Sequence, residues 1–510
     1  MRYGFAIDQR TCIGCHACTV ACKTEHEIPV GQFRTWVKYV DSGSFPDTTR
    51  DFGVMRCNHC TDAPCVKICP TKALFVRPDG IVDFDSERCI GCKGCMQACP
   101  YDAIYIDKNT NTAAKCNFCA HRIDEGYEPA CVVVCPTHSI WVGDLSDPNS
   151  GIAKLIKENP VKVRAPEQRT GPNVFYLGAE RAVLDPLAAP VDSTYIYSTP
   201  DAQRAAISAH LPRDPQTQAR TTLNTAHPRP WGWRVVTYLW TKSVAAGVMF
   251  LVAAAFLFDR HMGHDGTVVG PLIALGGLGV TGVLLVADLK QTMRFYYLLT
   301  KPNPRSWLVL GSVALAAFGA LATGWLLVGA IGQNEDPGYD NVLNALSVPA
   351  MLAAVAAAGY TAFLFGQAEG RDLWQSRLLF PHLLAQAGMV GAGVLVLLAP
   401  SREMRPEADA FVVRALVVAT VLHLAFAIVE FYGAHDSKAA GAAAHLATHG
   451  PYALLFRGSL GLALIAAGLA AFSWDGEHLG LAVAAGIVVQ VALLAYETVF
   501  VRAGQDVPLS

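Results

Sequence analysis

The most constraining feature of the sequence is a run of four cysteines, Cys89-Ile-Gly-Cys92-Lys-Gly-Cys95-Met-Gln-Ala-Cys99-Pro100. In this C-x2-C-x2-C-x3-C-P spacing, the first three thiolates bind one iron–sulfur cluster and the fourth reaches a second cluster. The run therefore predicts that iron–sulfur clusters occur in pairs in this protein.

Three further groups account for the rest of the sixteen cysteines: Cys12, Cys15, Cys18 and Cys22; Cys57, Cys60, Cys65 and Cys69; Cys116, Cys119, Cys131 and Cys135. Sixteen thiolates are the number that four [4Fe-4S] clusters require at four ligands each. Pairs of cysteines also build structural zinc sites, and cysteines form disulfides in secreted proteins. In each group here three residues separate the third cysteine from the fourth, and proline follows the fourth in three groups, which favours iron–sulfur ligation over both alternatives.

Composition divides the chain of 510 residues into two parts. The chain is 52% hydrophobic and only 16% charged, and its mean hydropathy of +0.30 is typical of membrane proteins. All cysteines precede residue 136, whereas all long apolar runs follow residue 233. A net charge of -2 without a basic stripe argues against a nucleic-acid partner. Residues 1–8 contain neither an apolar signal segment nor a twin-arginine pair, so we expect no export signal there.

Residues 1 to about 145 consist of repeated units, each with a cysteine loop, a short helix and a short strand. Strand-like segments follow the Cys-Pro pairs at 73–76, 103–106 and 139–142. Such small units cannot bury a large core, so cluster binding must supply much of the folding free energy. Residues 181–232 are rich in Pro, Thr, Gln and Arg, which predicts an extended linker along the cluster domain.

The order and spacing of the cysteine groups resemble the four-cluster iron–sulfur B subunit of dimethyl sulfoxide and polysulfide reductases, over about residues 1–180. The resemblance implies an α+β ferredoxin-like domain in which the first group pairs with the fourth and the second with the third. It also implies four ligand sets, which we number: set 1, Cys12, Cys15, Cys18 and Cys135; set 2, Cys22, Cys116, Cys119 and Cys131; set 3, Cys57, Cys60, Cys65 and Cys99; set 4, Cys69, Cys89, Cys92 and Cys95. A row of four [4Fe-4S] clusters conducts electrons, and neither a nucleotide loop nor a nucleophile–base pair predicts substrate chemistry in this domain.

The second part of the chain contains eight apolar stretches, at 236–258, 267–287, 306–330, 345–367, 381–399, 409–432, 453–472 and 479–500. Each is long enough to cross a bilayer core of roughly 30 Å. Their Gly- and Ala-rich faces suit close helix packing in lipid. A buried soluble core is the alternative, which eight such runs in series disfavour. We therefore predict an all-α, eight-helix transmembrane domain over residues 233–510.

This part resembles the NrfD-like membrane subunit of the polysulfide reductase family, which exchanges electrons with quinone. The residues that carry the resemblance are Ala287-Asp-Leu-Lys290, Arg294-Phe295, Arg305-Ser-Trp307, Tyr360 through Arg371-Asp-Leu-Trp374, and Gly504-Gln505 with Pro508-Leu-Ser510. It implies menaquinone or ubiquinone as a second redox partner. The iron–sulfur and membrane parts, separate chains in most relatives, are fused here.

The distribution of Lys and Arg predicts the topology. With an even number of spans, the cluster domain and the C-terminus share one face, and that face receives twelve of the cations from Arg229 onward. The opposite face receives four, Arg260, Arg402, Arg405 and Arg414. The positive-inside rule then predicts that the cluster domain lies on the cytoplasmic side of the inner membrane.

Ionisable and polar residues inside or beside the spans are candidates for quinone binding and proton transfer. Those predicted to meet near the clusters are Lys242, Asp288, Arg294, Tyr360, Gln367, His382, Glu430 and Glu497. Carboxylates or a histidine would relay protons, while Tyr360, Lys242 or Arg294 would bond a quinone carbonyl. His423, seven residues before Glu430 on the same helix face, is a candidate for a deeper proton path. Interhelical hydrogen bonds are the alternative role for each residue.

These observations predict an electron-transfer and membrane-anchor subunit of a complex iron–sulfur molybdoenzyme, without substrate catalysis of its own. It would pass electrons between a separate catalytic molybdopterin-type subunit and the quinone pool in the lipid bilayer. Alternatives are the equivalent subunit of a hydrogenase or of a ferredoxin-fed quinone reductase, a proton-translocating module, and a purely structural anchor.

Overall fold

The structure, a computed structural model, describes residues 1–191, 207–211, 218–225, 228–260, 262–332, 337–399, 406–475 and 478–510. Strands are confined to the part that precedes residue 224, and long helices to the part that follows residue 232, within these ranges. This division is the one that the composition predicts.

The described strands are β1 Tyr3–Asp8, β2 Thr35–Ser44, β3 Asp47–Arg56, β4 Leu74–Val76, β5 Val82–Phe84, β6 Ile104–Ile106, β7 Ala113–Lys115, β8 Ile140–Asp144, β9 Val161–Lys162, β10 Val174–Leu177 and β11 Ala219–Leu223. The short helices among them are α1 Ala17–Glu25, α2 Pro64–Ile68, α3 Gly94–Ala98, α4 Ala120–Asp124, α5 Ala130–Val133, α6 Gly151–Glu158 and α7 Arg181–Leu184. The three strand-like segments predicted after the Cys-Pro pairs correspond to β4, β6 and β8.

A four-stranded sheet in the order β8-β1-β10-β9 ties together the two ends of the cluster domain. Its central strand β1 runs antiparallel to β8 and parallel to β10. Phe5, Ala6 and Ile7 of β1 are fully buried. Because β1 ends just before Cys12 and β8 begins just after Cys135, this pairing brings the first and last cysteine groups together.

A second sheet has the order β11-β2-β3, in which β2 and β3 form a long hairpin. Its edge strand β11 belongs to the segment predicted as a linker, and it pairs antiparallel with β2, with Thr221 opposite Val40. The linker therefore adds a strand to the cluster domain, which its composition did not predict. Residues 192–206, 212–217 and 226–227 of that segment lie outside the described residues.

The membrane part contains helices α8 Trp233–Leu257, α9 Gly270–Asp288, α10 Tyr297–Thr300, α11 Trp307–Ile331, α12 Pro337–Gly366, α13 Leu379–Val396, α14 Pro406–Tyr432, α15 Lys438–Thr448, α16 Ala453–Ala471 and α17 Leu479–Asp506. Eight of them, all except α10 and α15, are long and apolar enough to cross a membrane. Each predicted apolar stretch falls on one of these eight, which confirms the predicted eight-helix domain. Arg402 and Arg405, two of the cations counted for topology, lie outside the described residues.

Helix α8 is the centre of the bundle, since 89% of the residues in its most apolar stretch are buried, against 22% for α9 and α11. It packs against α9, α12 and α13. Gly247 of α8 crosses α13 so closely that a Cβ at this position would lie 1.8 Å from the carbonyl oxygen of Ala387. Small residues at this crossing allow the two backbones to touch, as is usual for helices packed in lipid.

The two parts of the chain meet at the cysteine run of residues 89–99. The backbone amides of Lys290 and Gln291 donate to the carbonyls of Gly91 and Ile90, at 3.3 and 3.1 Å. Further along, Arg371 donates to the side chain of Gln97 at 2.9 Å, and Gln97 donates to Gln505 at 2.6 Å. The membrane domain therefore holds the loop and helix that carry residues 89–99.

Candidate iron–sulfur centres and buried polar groups of the membrane domain

Ligand set 1 assembles where β1 and β8 run side by side. Burial raises the pKa of the Cys12 thiol, and the neighbouring Cys135 and Cys15 raise it further. Burial also raises the pKa of Cys18 to about 12, with Cys12 among its neighbours. Cys15 is exposed, whereas Cys12 and Cys135 are half-buried, so this set lies at the surface of the cluster domain.

Ligand set 2 lies deeper. Burial raises the pKa of the Cys22 thiol well above its ordinary value, and the close thiols Cys116, Cys131 and Cys119 add to the shift. His26 lies beside this set, with its Nε2 at 3.2 Å from the Sγ atom of Cys119. Burial lowers the pKa of His26 to about 4, so the imidazole is neutral at physiological pH.

Ligand sets 3 and 4 are also brought together by the fold. Burial raises the pKa of the Cys65 thiol well above its ordinary value, and the neighbouring thiols Cys99, Cys57 and Cys60 raise it further. A cavity in the cluster domain is lined by the four cysteines of set 4, which are Cys69, Cys89, Cys92 and Cys95. The backbone amides of Gly91 and Ala113 donate to the Sγ atom of Cys89, at 3.4 and 3.3 Å.

The four sets follow one another in a row. Each is linked to the next by a pair of thiols within electrostatic range: Cys18 and Cys131, Cys116 and Cys57, Cys65 and Cys95. The row runs from the exposed Cys15 to set 4, which is next to the membrane domain. The four ligand sets implied by the family resemblance stay a prediction, and these neighbouring thiols support it.

The donor set fits iron–sulfur clusters. All sixteen cysteines are free thiols, and most are buried. Among the described residues, no three His, Cys, Asp or Glu side chains are close enough to hold a single metal ion. In a [4Fe-4S] cluster each thiolate binds a different iron, so its ligands must stand further apart than those of one zinc ion. The N–H groups directed at the sulfur of Cys89 suit a negatively charged cluster.

Arg56 is a buried cation that the sequence interpretation did not single out. Its Nη1 donates to the Sγ atom of Cys131 at 3.3 Å, and its Nε and Nη2 have no partner among the residues that the structure describes. Burial alone would lower the pKa of Arg56, but the charges of Cys131, Cys116 and Cys18 raise it above its ordinary value. A guanidinium in this position requires negative charge beside it, which a cluster bound by these thiolates would provide.

Set 4 is in direct contact with residues of the membrane domain. Lys93, between Cys92 and Cys95, forms an ion pair of 2.7 Å with Asp288 at the end of α9, and both side chains are largely buried. The side chain of Asn303 donates to the carbonyl of Cys69 at 2.8 Å. Trp231, stacked on Trp374 with ring centroids 5.4 Å apart, donates from its indole nitrogen to the carbonyl of Cys92 at 3.4 Å.

Three of the predicted quinone residues hold loops in place. Asp288 pairs with Lys93, and Arg294 donates to the carbonyls of Ser86 and Cys89, at 2.7 and 3.0 Å. Gln367 accepts from the backbone amide of Trp307 at 2.9 Å and donates to the carbonyl of Arg305 at 2.7 Å. Arg294 and Gln367 therefore do not join the buried polar groups, since their side chains are engaged in fixing the junction of the two domains and the start of α11.

Lys242, Tyr360 and Glu497 form one buried group in the bundle. The Nζ atom of Lys242 donates to the carbonyl of Ala358 at 2.6 Å and to the hydroxyl of Thr361 at 2.8 Å, and it lies 5.2 Å from the centre of the Tyr360 ring. Glu497 is within electrostatic range of Lys242, and neither of its buried carboxylate oxygens has a hydrogen-bond partner.

His382, His423 and Glu430 form a second group. The Nδ1 atom of His382 lies 2.6 Å from a carboxylate oxygen of Glu430, and its Nε2 lies 2.8 Å from Nδ1 of His423. The hydroxyls of Ser376 and Tyr496 donate to Glu430, at 2.9 and 3.4 Å. Tyr496 precedes Glu497 in α17, so this helix connects the two groups. Ser376, Thr361 and Tyr496 were missed because the sequence interpretation considered mainly charged residues.

A family model described as polysulphide reductase, NrfD, matches residues 221–508. This protein belongs to the NrfD family. A second model, described as a 4Fe-4S dicluster domain, matches residues 49–145. The predicted fusion of an iron–sulfur part with an NrfD part is therefore confirmed, and this NrfD protein is a multi-pass membrane protein with an iron–sulfur domain.

The iron–sulfur part is similar to curated proteins over about a third of the chain. It is 46% identical over 190 residues to the B subunit of tetrathionate reductase from Salmonella typhimurium, covering 36% of this chain and 76% of the relative. It is 41% identical over 187 residues to the B chain of polysulfide reductase from Wolinella succinogenes, covering 36% and 98%. It is 35% identical over 225 residues to the arsenate respiratory reductase iron–sulfur subunit ArrB of a Shewanella species, covering 35% and 96%.

Proposed function

We propose that this NrfD protein is the electron-transfer and membrane-anchor subunit of a complex iron–sulfur molybdoenzyme, with its cluster domain on the cytoplasmic side. The observation that carries the proposal is the row of four cysteine sets, from the exposed Cys15 to the Lys93–Asp288 ion pair at the membrane domain. Four [4Fe-4S] clusters bound along it would supply one-electron transfer between a catalytic subunit and quinone. The names of the similar proteins, which are reductase subunits, support this class of partner.

The catalytic subunit would dock at the outer end of the row. Ile13, Val20 and Val133, which neighbour the ligands of set 1 in sequence, are exposed apolar side chains. Exposed apolar side chains are candidates for contact with a protein partner. A partner bound there would cover Cys15 and shorten the path from its own redox centre to the first cluster.

Quinone would bind beside Lys242, Tyr360 and Glu497. Lys242 uses two of its three N–H groups on Ala358 and Thr361, which leaves one for a quinone carbonyl. Glu497 has both oxygens free of hydrogen bonds and would give or take the proton that accompanies each electron. Tyr238 lies within electrostatic range of Glu497, Tyr360 and Asp288, so this position is also near set 4.

Protons would reach this position through Glu430, His382 and His423. A neutral imidazole accepts a proton at one nitrogen and releases one from the other, so a histidine between a carboxylate and a second histidine is suited to proton transfer. His423 also has a buried Nε2 atom without a partner, from which the path would continue into the bundle.

Replacing Glu497 with Gln tests the quinone site. We expect turnover with a short-chain quinone to fall by about 10² to 10⁴, because the variant keeps the shape of the site but loses the proton carrier. Reduction of the clusters through the catalytic partner, followed by their visible absorbance, should be unchanged. The matched control is Glu369→Gln, which removes a half-buried carboxylate near Lys67 at the domain junction. Full quinone turnover in Glu497→Gln would contradict this site.

Metal analysis of the complex tests the class of enzyme. The anaerobically purified complex should contain sixteen irons for this chain, four for each of four clusters, and its catalytic partner should contain molybdenum or tungsten. Nickel in the partner would instead support the hydrogenase alternative. Far fewer than sixteen irons would remove the proposed row of clusters.

A further inference from the structure

Two fully buried cations lie between successive ligand sets. Arg56 is the last residue of β3, Lys115 is the last residue of β7, and each has 0% of its surface exposed. Within the ranges that the structure describes, no acidic side chain forms an ion pair with either one. Burying a cation without a compensating anion is costly, so each requires another source of negative charge.

Arg56 lies between sets 1 and 2. It donates to Cys131 of set 2 at 3.3 Å, and its guanidinium stacks 4.4 Å above the ring of Phe5. Cys18 of set 1 and Cys116 of set 2 are both within range of its charge. Its remaining donors, Nε and Nη2, have no partner in the described part of the chain and are buried from solvent.

Lys115 lies between sets 2 and 3. Its ammonium donates to the backbone carbonyls of Val82 and Cys116, the latter at 2.9 Å. These are neutral groups, which leave its charge uncompensated. Lys115 directly precedes Cys116 of set 2. On the other side, the backbone amide of its partner Val82 donates to Nδ1 of His59 at 3.2 Å, and His59 lies between Cys57 and Cys60 of set 3. Its charge also acts on Cys116 and on Cys65 of set 3.

We propose that the charges of Arg56 and Lys115 set the reduction potentials of the clusters along the row. Arg56 would raise the potentials of the clusters in sets 1 and 2, and Lys115 those of the clusters in sets 2 and 3. The inference rests on the proposed function, since it requires clusters in these sets. Reduction adds one negative charge to a cluster, and a nearby buried cation stabilises that charge in a medium of low dielectric constant.

A redox titration of the full-length chain, followed by electron paramagnetic resonance, tests the proposal. The unmodified protein should show four one-electron midpoint potentials. In Arg56→Met, two of the four midpoint potentials should become more negative. In Lys115→Met, two midpoint potentials should also become more negative. One cluster, that of set 2, should be affected in both variants. We expect a change in the reduction equilibrium constant of about tenfold or more, or ~59 mV for one electron. Fewer than four midpoints in the unmodified protein would count against the proposed function itself.

Three controls separate local charge from general damage. Arg122→Met removes a part-exposed cation that is paired with Glu25 at 3.3 Å, and it should shift none of the midpoints. Arg56→Lys and Lys115→Arg keep the charge and should keep the potentials. A shift of all four midpoints, an equal shift in Arg122→Met, or a shift in Arg56→Lys as large as in Arg56→Met would overturn the proposal. If Arg56→Met loses iron, Lys115→Met decides, and the absence of any shift there overturns it.

Discussion

At the level of single residues, Gly91 controls how closely the two domains approach each other. Its φ of +67° lies in the left-handed region, and a Cβ there would be 2.6 Å from the Cβ of Lys290 and 3.0 Å from the carbonyl oxygen of Asn111. Glycine therefore meets two requirements at once, since it adopts this backbone conformation readily and leaves room for the membrane-domain loop.

The substitution Gly91→Ala should destabilise the junction by about 1–3 kcal/mol, because it adds overpacking to backbone strain. The measurement is the thermal unfolding of the detergent-solubilised chain, together with the rate at which a short-chain quinol reduces the clusters. Gly126→Ala is the matched control, since Gly126 has a φ of +82° but nothing within 4 Å of the position that an added methyl group would take. Equal losses in the two variants would show that the contact with Lys290 contributes nothing.

At the level of secondary-structure elements, the crossing of α8 and α13 positions the proposed quinone site. Lys242 lies on α8 five residues before Gly247, and His382 lies on α13 nine residues before Gly391. Gly391 would place a Cβ 2.6 Å from the Cα of Gly247, so neither helix has space for a side chain there. Separating the two helices would therefore move Lys242 and His382 apart.

The substitution Gly247→Ala should destabilise the bundle by about 1–3 kcal/mol and lower quinone turnover, since the helices must move to admit the methyl group. Unfolding followed by tryptophan fluorescence and the quinone assay measure the two effects. On α9, Gly279 has nothing within 4 Å, so Gly279→Ala should be neutral or stabilising by roughly 0.5–1 kcal/mol. A Gly247→Ala protein as stable and active as the parent would rule out the tight crossing as a requirement.

Some elements could be predicted from the sequence, whereas the contacts between distant elements could not. Cysteine spacing predicts the short loop–helix–strand units, and apolar run length predicts the eight spans, because both signals are local. The pairing of β11 with β2 and of Lys93 with Asp288 joins residues about 180 and 195 positions apart, and no local pattern reports such contacts. Arg56 was not recognised for the same reason, since it is an ordinary cation beside a cysteine until the fold buries it.

At the level of the whole molecule, the two domains are stabilised by different means. The helices α1 to α7 have nine residues or fewer, and isolated helices of this length are marginal in water. The membrane domain, by contrast, has one continuous apolar core across its eight spanning helices. We therefore expect the cluster domain to depend on bound clusters for much of its stability, and the bundle to be stable without them.

Removing the clusters should consequently unfold one domain and spare the other. After treatment with an iron chelator and an oxidant in detergent, we expect protease to cut readily within about residues 1–180, while a fragment that contains α8 to α17 survives. Far-ultraviolet circular dichroism should retain the helical signal of the bundle, because those helices make their own hydrogen bonds and contacts. The untreated protein is the control and should resist the same protease. An iron-free cluster domain that stayed resistant would mean that its sheets β8-β1-β10-β9 and β11-β2-β3 suffice for folding, and that cluster binding adds a redox function to a domain that is already stable.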